Sequence, residues 1–399
     1  MKVLVINAGS SSLKYQLLNP STGEIFAIGL CDRIGIANSK LDYEVPSKDF
    51  ELEIKQDIPN HKVALEMVLE AILNPIHGVV ASTDEIDAIG HRVVHGGEEF
   101  ASSVLITEEV IKGIEATSEL APLHNPANLM GIRTCMELMP GKPNVAVFDT
   151  AFHQTMPAEA FMYALPYEDY KELKVRKYGF HGTSHLFVST TMREIMGNPE
   201  ESKIIICHLG NGASVSAVKN GKSVDTSMGL TPLQGLMMGT RAGDMDPAAV
   251  LYVKNKRNLT DKEMDDRMNK QSGILGIYGV SSDCRDMENA VKAGDEKAKL
   301  SEDMFIYRLK SYIGAYAAAM GGVDAICFTG GIGENSDIIR AGAVKGLEFL
   351  GARMDLAVNG VRKKGNVKLS TEGSEVLIYK IPTNEELVIA RDTYSIVNK

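Results

Sequence analysis

The chain has 399 residues, of which 44% are hydrophobic and 24% charged, with 42 Lys+Arg against 52 Asp+Glu and a net charge of −10. That length exceeds one compact core and predicts two domains, and the composition excludes a disordered chain. The acidic balance argues against a general nucleic-acid or membrane-surface role, although converging cations could still bind a small polyanion.

The first residues, Met1-Lys2-Val3-Leu4-Val5-Ile6-Asn7, are too short an apolar stretch for a signal peptide, and no run approaches the length of a membrane span. The cysteines Cys31, Cys135, Cys207, Cys284 and Cys327 form no C-x-x-C pair. Scattered single thiols suit a reduced, cytoplasmic protein.

Residues 3–6 form a β-branched run that ends in Asn7-Ala8-Gly9-Ser10-Ser11-Ser12, and a second apolar run follows at Leu13–Leu18. This pattern predicts a strand, a Gly/Ser turn and a return strand. Helical spacing of apolar residues appears at Lys62–Leu73. Ile86-Asp87-Ala88-Ile89 reads as a strand leading to His91–Gly97. Asn125-Pro126 opens a predicted helix to Leu138, and the buried strand Val145–Phe148 runs into Asp149. Residues 204–207, His208-Leu209-Gly210-Asn211-Gly212 and Ala213–Val218 repeat the N-terminal hairpin, with His208 at the place of Asn7. Leu300–Met320 is predicted as a long helix. Val323–Ile326 then leads into Thr329-Gly330-Gly331-Ile332-Gly333, which repeats the second strand–glycine unit. Asn384–Val397 closes the chain as a helix with Asn384 as its cap and two glutamates in its first turn. The two matching sets predict a duplicated α/β domain.

Three glycine turns stand at corresponding places: Asn7–Ser12 followed by Lys14, His208–Gly212, and Gly330–Gly333 followed by Glu334-Asn335. Each alone reads first as a structural turn and second as a phosphate cradle, the three at corresponding places point more strongly to a nucleotide, and none is a Walker loop. Arg92 lies in His91–Gly97 and Arg241 in Met238–Asp244. Each is either a solvated or salt-bridging residue or half of a clamp on a transferred phosphoryl group. Asp149 follows a buried strand, where α/β sheets build sites, and could also be a cap. His181 sits between glycines, as ligand contact or as capping residue. The pairs His91/His95 and His181/His185 lack the glutamate of a zinc helix, so no zinc site is expected. Asn7, Asp149 and Glu385 are candidate oxygen ligands for a magnesium ion that arrives with a nucleotide. No serine-hydrolase elbow occurs.

Taken in order, these segments resemble the acetokinase family along the whole chain. The matching stretches are Val5–Lys14, Gly90–Gly97, Ala121–Pro126, Phe148–His153, Arg176–His185, His208–Gly212, Met237–Asp244, Ser282–Asp286, Phe328–Asn335 and Thr383–Glu386. The resemblance implies two duplicated actin-like (ribonuclease H-like) α/β domains with an active-site cleft between them. They are expected as 1–150 plus 386–399 and as 151–385. It also implies a homodimer and reversible, magnesium-dependent transfer from ATP to acetate, giving acetyl phosphate and ADP, with manganese as a substitute ion. By position, Arg92, Asp149, His181 and Arg241 are implied as catalytic. Arg92, Val94, Leu123, Phe180 and Pro232 are implied as the acetate site, with His124 a neighbour. Lys14, His208, Leu209, Gly210, Asn211, Gly212, Asp283, Cys284, Arg285, Gly331, Ile332, Gly333, Glu334 and Asn335 are implied at the nucleotide, Cys284 as a position of little consequence. Asn7 and Glu385 are implied at the metal.

A carboxylic acid is already ionised at neutral pH and needs no base to attack. Asp149 is therefore read as a positioner of magnesium, water or arginine, and transfer as direct and in line. The alternatives are a propionate or butyrate kinase using the same clamp, a sugar kinase of the same fold, a non-enzymatic ATP switch, or another donor such as GTP or pyrophosphate.

Overall fold

In a computed structural model, which describes residues 1–122 and 124–399, the N-terminal apolar run folds as the predicted hairpin. Strand β1 (Val3–Ala8) pairs antiparallel with β2 (Ser12–Leu18). The described residues fall into two compact units, Met1–Phe152 with Asn384–Lys399, and His153–Thr383.

The first unit carries an eight-stranded sheet. After β2 come β3 (Ile25–Asp32), β4 (Lys40–Val45), β5 (Phe50–Lys55), β6 (Ala88–Val93), β7 (Val104–Leu105) and β8 (Asn144–Phe148). Their order in the sheet is β5-β4-β3-β2-β1-β6-β8-β7. Strands β1, β6 and β8 run parallel to one another. Parallel strands must be covered on both faces, and the burial of Val3, Leu4, Val5 and Ile6 alike reflects this. The helix His61–Ile72 packs Leu65, Val68 and Ile72 into a core with Leu4, Ile6, Leu13 and Leu17. The helices Asn125–Leu138 and Glu385–Val397 pack on β1 and β6.

The second unit has the strands β9 (Lys203–Leu209), β10 (Ala213–Lys219), β11 (Lys222–Thr226), β12 (Ala325–Thr329), β13 (Val367–Lys368) and β14 (Leu377–Lys380). Their sheet order is β11-β10-β9-β12-β14-β13. It matches β3-β2-β1-β6-β8-β7 strand for strand, with β9, β12 and β14 parallel and each sheet closed by a two-residue antiparallel strand. The duplication seen in the sequence is thus a duplication of sheet topology. Ile204, Ile205, Ile206 and Cys207 are fully buried, as a strand covered on both faces requires.

Two elements differ from expectation. The segment after β12 is a short helix, Gly330–Asn335, rather than an open glycine loop. Gly330, at φ +76°, turns the chain out of β12 where a side chain would stand 2.7 Å from the Leu209 carbonyl. Asn335 Nδ2 and Ser336 N–H then donate back to the carbonyls of Gly331 and Ile332, closing a turn. The long helix begins earlier, at Glu296, because Asp295 caps it through Ala298 N–H at 2.9 Å.

Gly90, in β6, lets the C-terminal helix approach closely. A Cβ there would lie 2.5 Å from Thr393 Oγ1 and 2.7 Å from Ile389 Cγ2. Gly90→Ala is expected to overpack this contact and to cost the first unit about 1–3 kcal/mol. Urea unfolding should show the loss, and an unchanged midpoint would mean that the helix moves away freely.

Candidate active site

In the first unit, the candidate residues stand at the carboxyl ends of parallel strands, the edge where open α/β sheets place ligands. Arg92 is near the end of β6, and Asp149 follows β8 directly, its N–H bonded to the Val93 carbonyl at 2.9 Å. Arg92 Nε donates to both Asp149 oxygens at 3.0 and 3.1 Å, and Nη2 donates to Oδ2 at 2.6 Å. The same guanidinium reaches back to β1 through Nη1, which donates to Asn7 Oδ1 at 3.3 Å. Asp149 is only 1% exposed, so its carboxylate is engaged with Arg92 rather than with solvent. Burial alone would weaken the guanidinium as a base. The Asp149 charge and hydrogen bonds, with Glu385 and Glu386 behind them, outweigh that and hold Arg92 firmly charged. A fixed fork of this kind keeps donor directions available to a second anion.

The adjoining loop is pinned by two side chains of the helix Asn125–Leu138 and by Thr150, which follows β8. Asn128 Oδ1 accepts from Val94 N–H, Asn125 Oδ1 from His95 N–H, and Thr150 Oγ1 from Gly96 N–H, at 3.0–3.1 Å. Asn128 Nδ2 also donates to the Ala8 carbonyl at 2.8 Å, tying this loop to the first glycine turn. That turn is closed by Gly9 N–H on the Ser12 carbonyl at 2.8 Å and by His61 Nε2 on Gly9 O at 2.7 Å. Lys14 pairs with Glu386. Glu385 begins the C-terminal helix, capped by Asn384 through Leu387 N–H at 3.0 Å. Burial, only partly offset by Arg92, raises the Glu385 carboxyl to about 6. Such a desolvated acid oxygen, with the Asn7 amide oxygen in the same unit, is a donor set suited to a hard cation. Among the described residues there is no cluster of three or more His, Cys, Asp or Glu side chains that could hold a metal. Magnesium brought by a nucleotide needs only one or two protein oxygens.

The second unit supplies the other candidates. His181 stands at the N-cap position of the helix Gly182–Ile195 in a left-handed conformation, φ +55°, which is rare outside glycine. Its Nδ1 meets Ser214 Oγ at 2.8 Å and its ring stacks on His208 at 4.2 Å. A Cβ added at Gly212 would lie 3.4 Å from Arg241 Nη1 and 3.7 Å from His181 Nε2. Both donors therefore converge on space that glycine leaves open. Arg241 has no carboxylate partner among the described residues, and its one weak contact is with Met238 Sδ at 4.0 Å. Burial lowers its pKa, the mark of a desolvated cation lacking a counter-charge.

A cavity of about 650 Å³ opens beside this corner. Gly210, Asn211, Asp283, Cys284, Arg285, Gly331, Ile332 and Asn335 line it, all expected at a nucleotide. Asp283 caps the helix Cys284–Lys292 through Arg285 N–H at 2.8 Å and holds the exposed Arg285 fork. His208, Leu209, Gly212, Gly333 and Glu334 do not line this cavity. Leu209 and Gly333 are buried, and burial raises the Glu334 pKa. Val94 belongs to the first unit, Phe180 and Pro232 belong to the second, and Leu123 lies outside the described residues. Sequence reading missed Ser282, Glu288, Ser336 and Arg362 in the cavity wall. Glu288 could have been found one helical turn after Cys284, whose thiol approaches its Oε1 at 3.7 Å. Arg362 carried no local signal.

Comparison with known proteins bears on the family of the whole chain. Residues 2–391 match the acetokinase family. An acetate kinase of Fusobacterium nucleatum subsp. nucleatum is 75% identical over 99% of both chains. The crystal structure of the Porphyromonas gingivalis acetate kinase superposes with a TM-score of 0.95 at 46% identity, covering 99% of each chain. A propionate kinase from Francisella tularensis subsp. tularensis gives 0.92 at 41% identity, also over 99% of each chain. A match of this length and identity leaves one assignment: the chain belongs to the acetokinase family.

Proposed function

We propose that the protein is an acetate kinase that transfers the terminal phosphoryl group of ATP directly and reversibly to acetate, giving acetyl phosphate and ADP. The observation that carries the reading is the pair of cationic corners, Arg92 locked on Asp149 in one unit and Arg241 with His181 in the other. In this reading both act on the same phosphoryl group. The acid arrives ionised, so the obstacle is repulsion between two anions. Arg92 grips the carboxylate and the phosphoryl oxygens, Asp149 aims Arg92, and Arg241 and His181 take up charge on the transferred group. Val94, Leu123, Phe180 and Pro232 are proposed around the methyl group. Lys14 and the segments His208–Gly212, Asp283–Arg285 and Gly331–Asn335 are proposed at the nucleotide. Asn7 and Glu385 would hold a magnesium ion, which when bound supplies further charge neutralisation.

A homodimer is part of the proposal. The helix Pro247–Lys256 buries no residue of its own and leaves Leu251 and Tyr252 more than half exposed, which suits a surface covered by a second copy. Cytoplasmic residence accords with five buried, unpaired cysteines. No helix among the described residues is long and apolar enough to cross a membrane.

A hydroxamate assay with ATP, Mg²⁺ and acetate tests the activity. Arg92→Ala and Arg241→Ala should each lower turnover by roughly 10³-fold or more. Near-normal rates in both would remove their assigned roles. Chiral phosphate should emerge inverted, and retention would indicate a phosphoenzyme. The second reading, a three-carbon acid with the same clamp, is not favoured by the relatives of higher identity, which are acetate kinases, and is tested by the same assay. Across two- to four-carbon acids, each methylene should change kcat/KM by about 10–200-fold at most, with acetate highest. A maximum at propionate would select the second reading.

A further inference from the structure

Behind His181 lies a line of buried side chains to which the proposed transfer assigns no role. Ser214 Oγ stands 2.8 Å from His181 Nδ1 and 2.8 Å from His185 Nε2. The far nitrogen of His185, Nδ1, is 2.8 Å from Ser216 Oγ. Ser214, His185 and Ser216 all have zero exposure. Strand β10 places the two serines two residues apart on one face, and the helix Gly182–Ile195 supplies His185 one turn after His181.

The protons on this line can be counted. Each serine has one hydroxyl proton, and a neutral imidazole has one N–H. Burial, with His153 and His208 as neighbours, pushes the His185 pKa well down, so this ring is neutral. Among the described residues, the Ser216 hydroxyl has no hydrogen-bond partner other than His185 Nδ1. A buried hydroxyl proton without an acceptor is costly, so Ser216 donates to His185 Nδ1. The single N–H of His185 is then on Nε2 and donates to Ser214 Oγ. Ser214 has one direction left for its proton, to His181 Nδ1. A nitrogen that accepts a hydrogen bond carries no proton, and the His181 proton is therefore on Nε2, the atom that faces Arg241 and the Gly212 opening.

We propose that Ser216, His185 and Ser214 form a one-way hydrogen-bond relay that presets His181 as a neutral imidazole with its N–H on Nε2. Ser214 and His185 are positioning residues for the reaction, and Ser216 sets the direction. The claim about catalysis rests on the proposed role of His181. The chemical sense of the arrangement is that Arg241 and the His208 ring, stacked at 4.2 Å, already crowd His181. A second cation there would be repelled by Arg241, whereas a neutral N–H donor can serve a phosphoryl oxygen without that cost. The reverse relay would leave Nε2 bare and aimed at an anion.

The test is nitrogen-15 spectroscopy of histidine-labelled full-length protein, which reads the tautomer of each ring without reference to activity. The protein has nine histidines, and single His→Gln variants assign the signals. Near neutral pH, His181 and His185 should both appear as Nε2–H tautomers. Ser214→Ala should give His181 as a mixture of tautomers and lower kcat by roughly 10–100-fold, with KM for ATP and acetate changed less than about twofold. Ser214→Thr should restore both. Ser216→Ala, which spares the contact with His181, should release the His185 tautomer and keeps the idea testable if Ser214→Ala does not fold. Finding wild-type His181 as the Nδ1–H tautomer or as imidazolium overturns the proposal. An unchanged spectrum and kcat in Ser214→Ala does so equally. If His181→Ala itself turns over normally, the catalytic reading of His181 falls, and the spectrum alone then decides the relay.

Discussion

Two anions must be brought into contact in the proposed reaction, and the role proposed for the cations of the candidate site is to offset that repulsion. Two unit charges 4 Å apart interact by about 1 kcal/mol in water and by about 4 kcal/mol near a protein surface. A single flexible lysine at the surface would do little against this, because water already screens it. Arg92 is instead fixed on both sides, by Asp149 and by Asn7, and Arg241 is half-buried with no carboxylate partner among the described residues. Both cations are partly desolvated beforehand, so much of the cost of ordering them is met by folding and not by each turnover.

The duplicated sheet explains how one chain builds two such corners. In each half, parallel strands end at a common edge, and a hairpin beside them supplies a glycine turn. The first half uses this edge for Arg92 and Asp149. The second uses the corresponding turn, His208–Gly212, to clear space before Arg241 and His181. The same scaffold thus carries different chemistry through the residues at its strand ends.

Much of this was legible because the signals are local. The run Val3–Ile6, the turn at Gly9 and the repeat at residues 204–218 announce both hairpins, and Asn125-Pro126 and Asn384 mark helix starts that the structure keeps. Thr260 with Glu263 forms a capping box at the start of the helix Asp261–Lys270, whose almost wholly polar sequence carries no apolar periodicity. What local reading cannot reach is pairing over long separations. Nothing near Arg92 points to Asp149 as its partner, 57 residues away. His185 was visible only as the second member of a histidine pair; its link to Ser216, on another element, exists only once β10 lies beside the helix Gly182–Ile195. Arg362 in the cavity wall has the same origin.

A structure of the protein with a non-hydrolysable ATP analogue and acetate bound tests the central claim most directly. The account predicts Arg92 and Arg241 both within hydrogen-bonding distance, about 3 Å, of the oxygens of one terminal phosphoryl group, with Arg92 also touching the acetate carboxylate. A complex in which either arginine stands away from that phosphoryl group, its place taken by solvent or by another side chain, would contradict it.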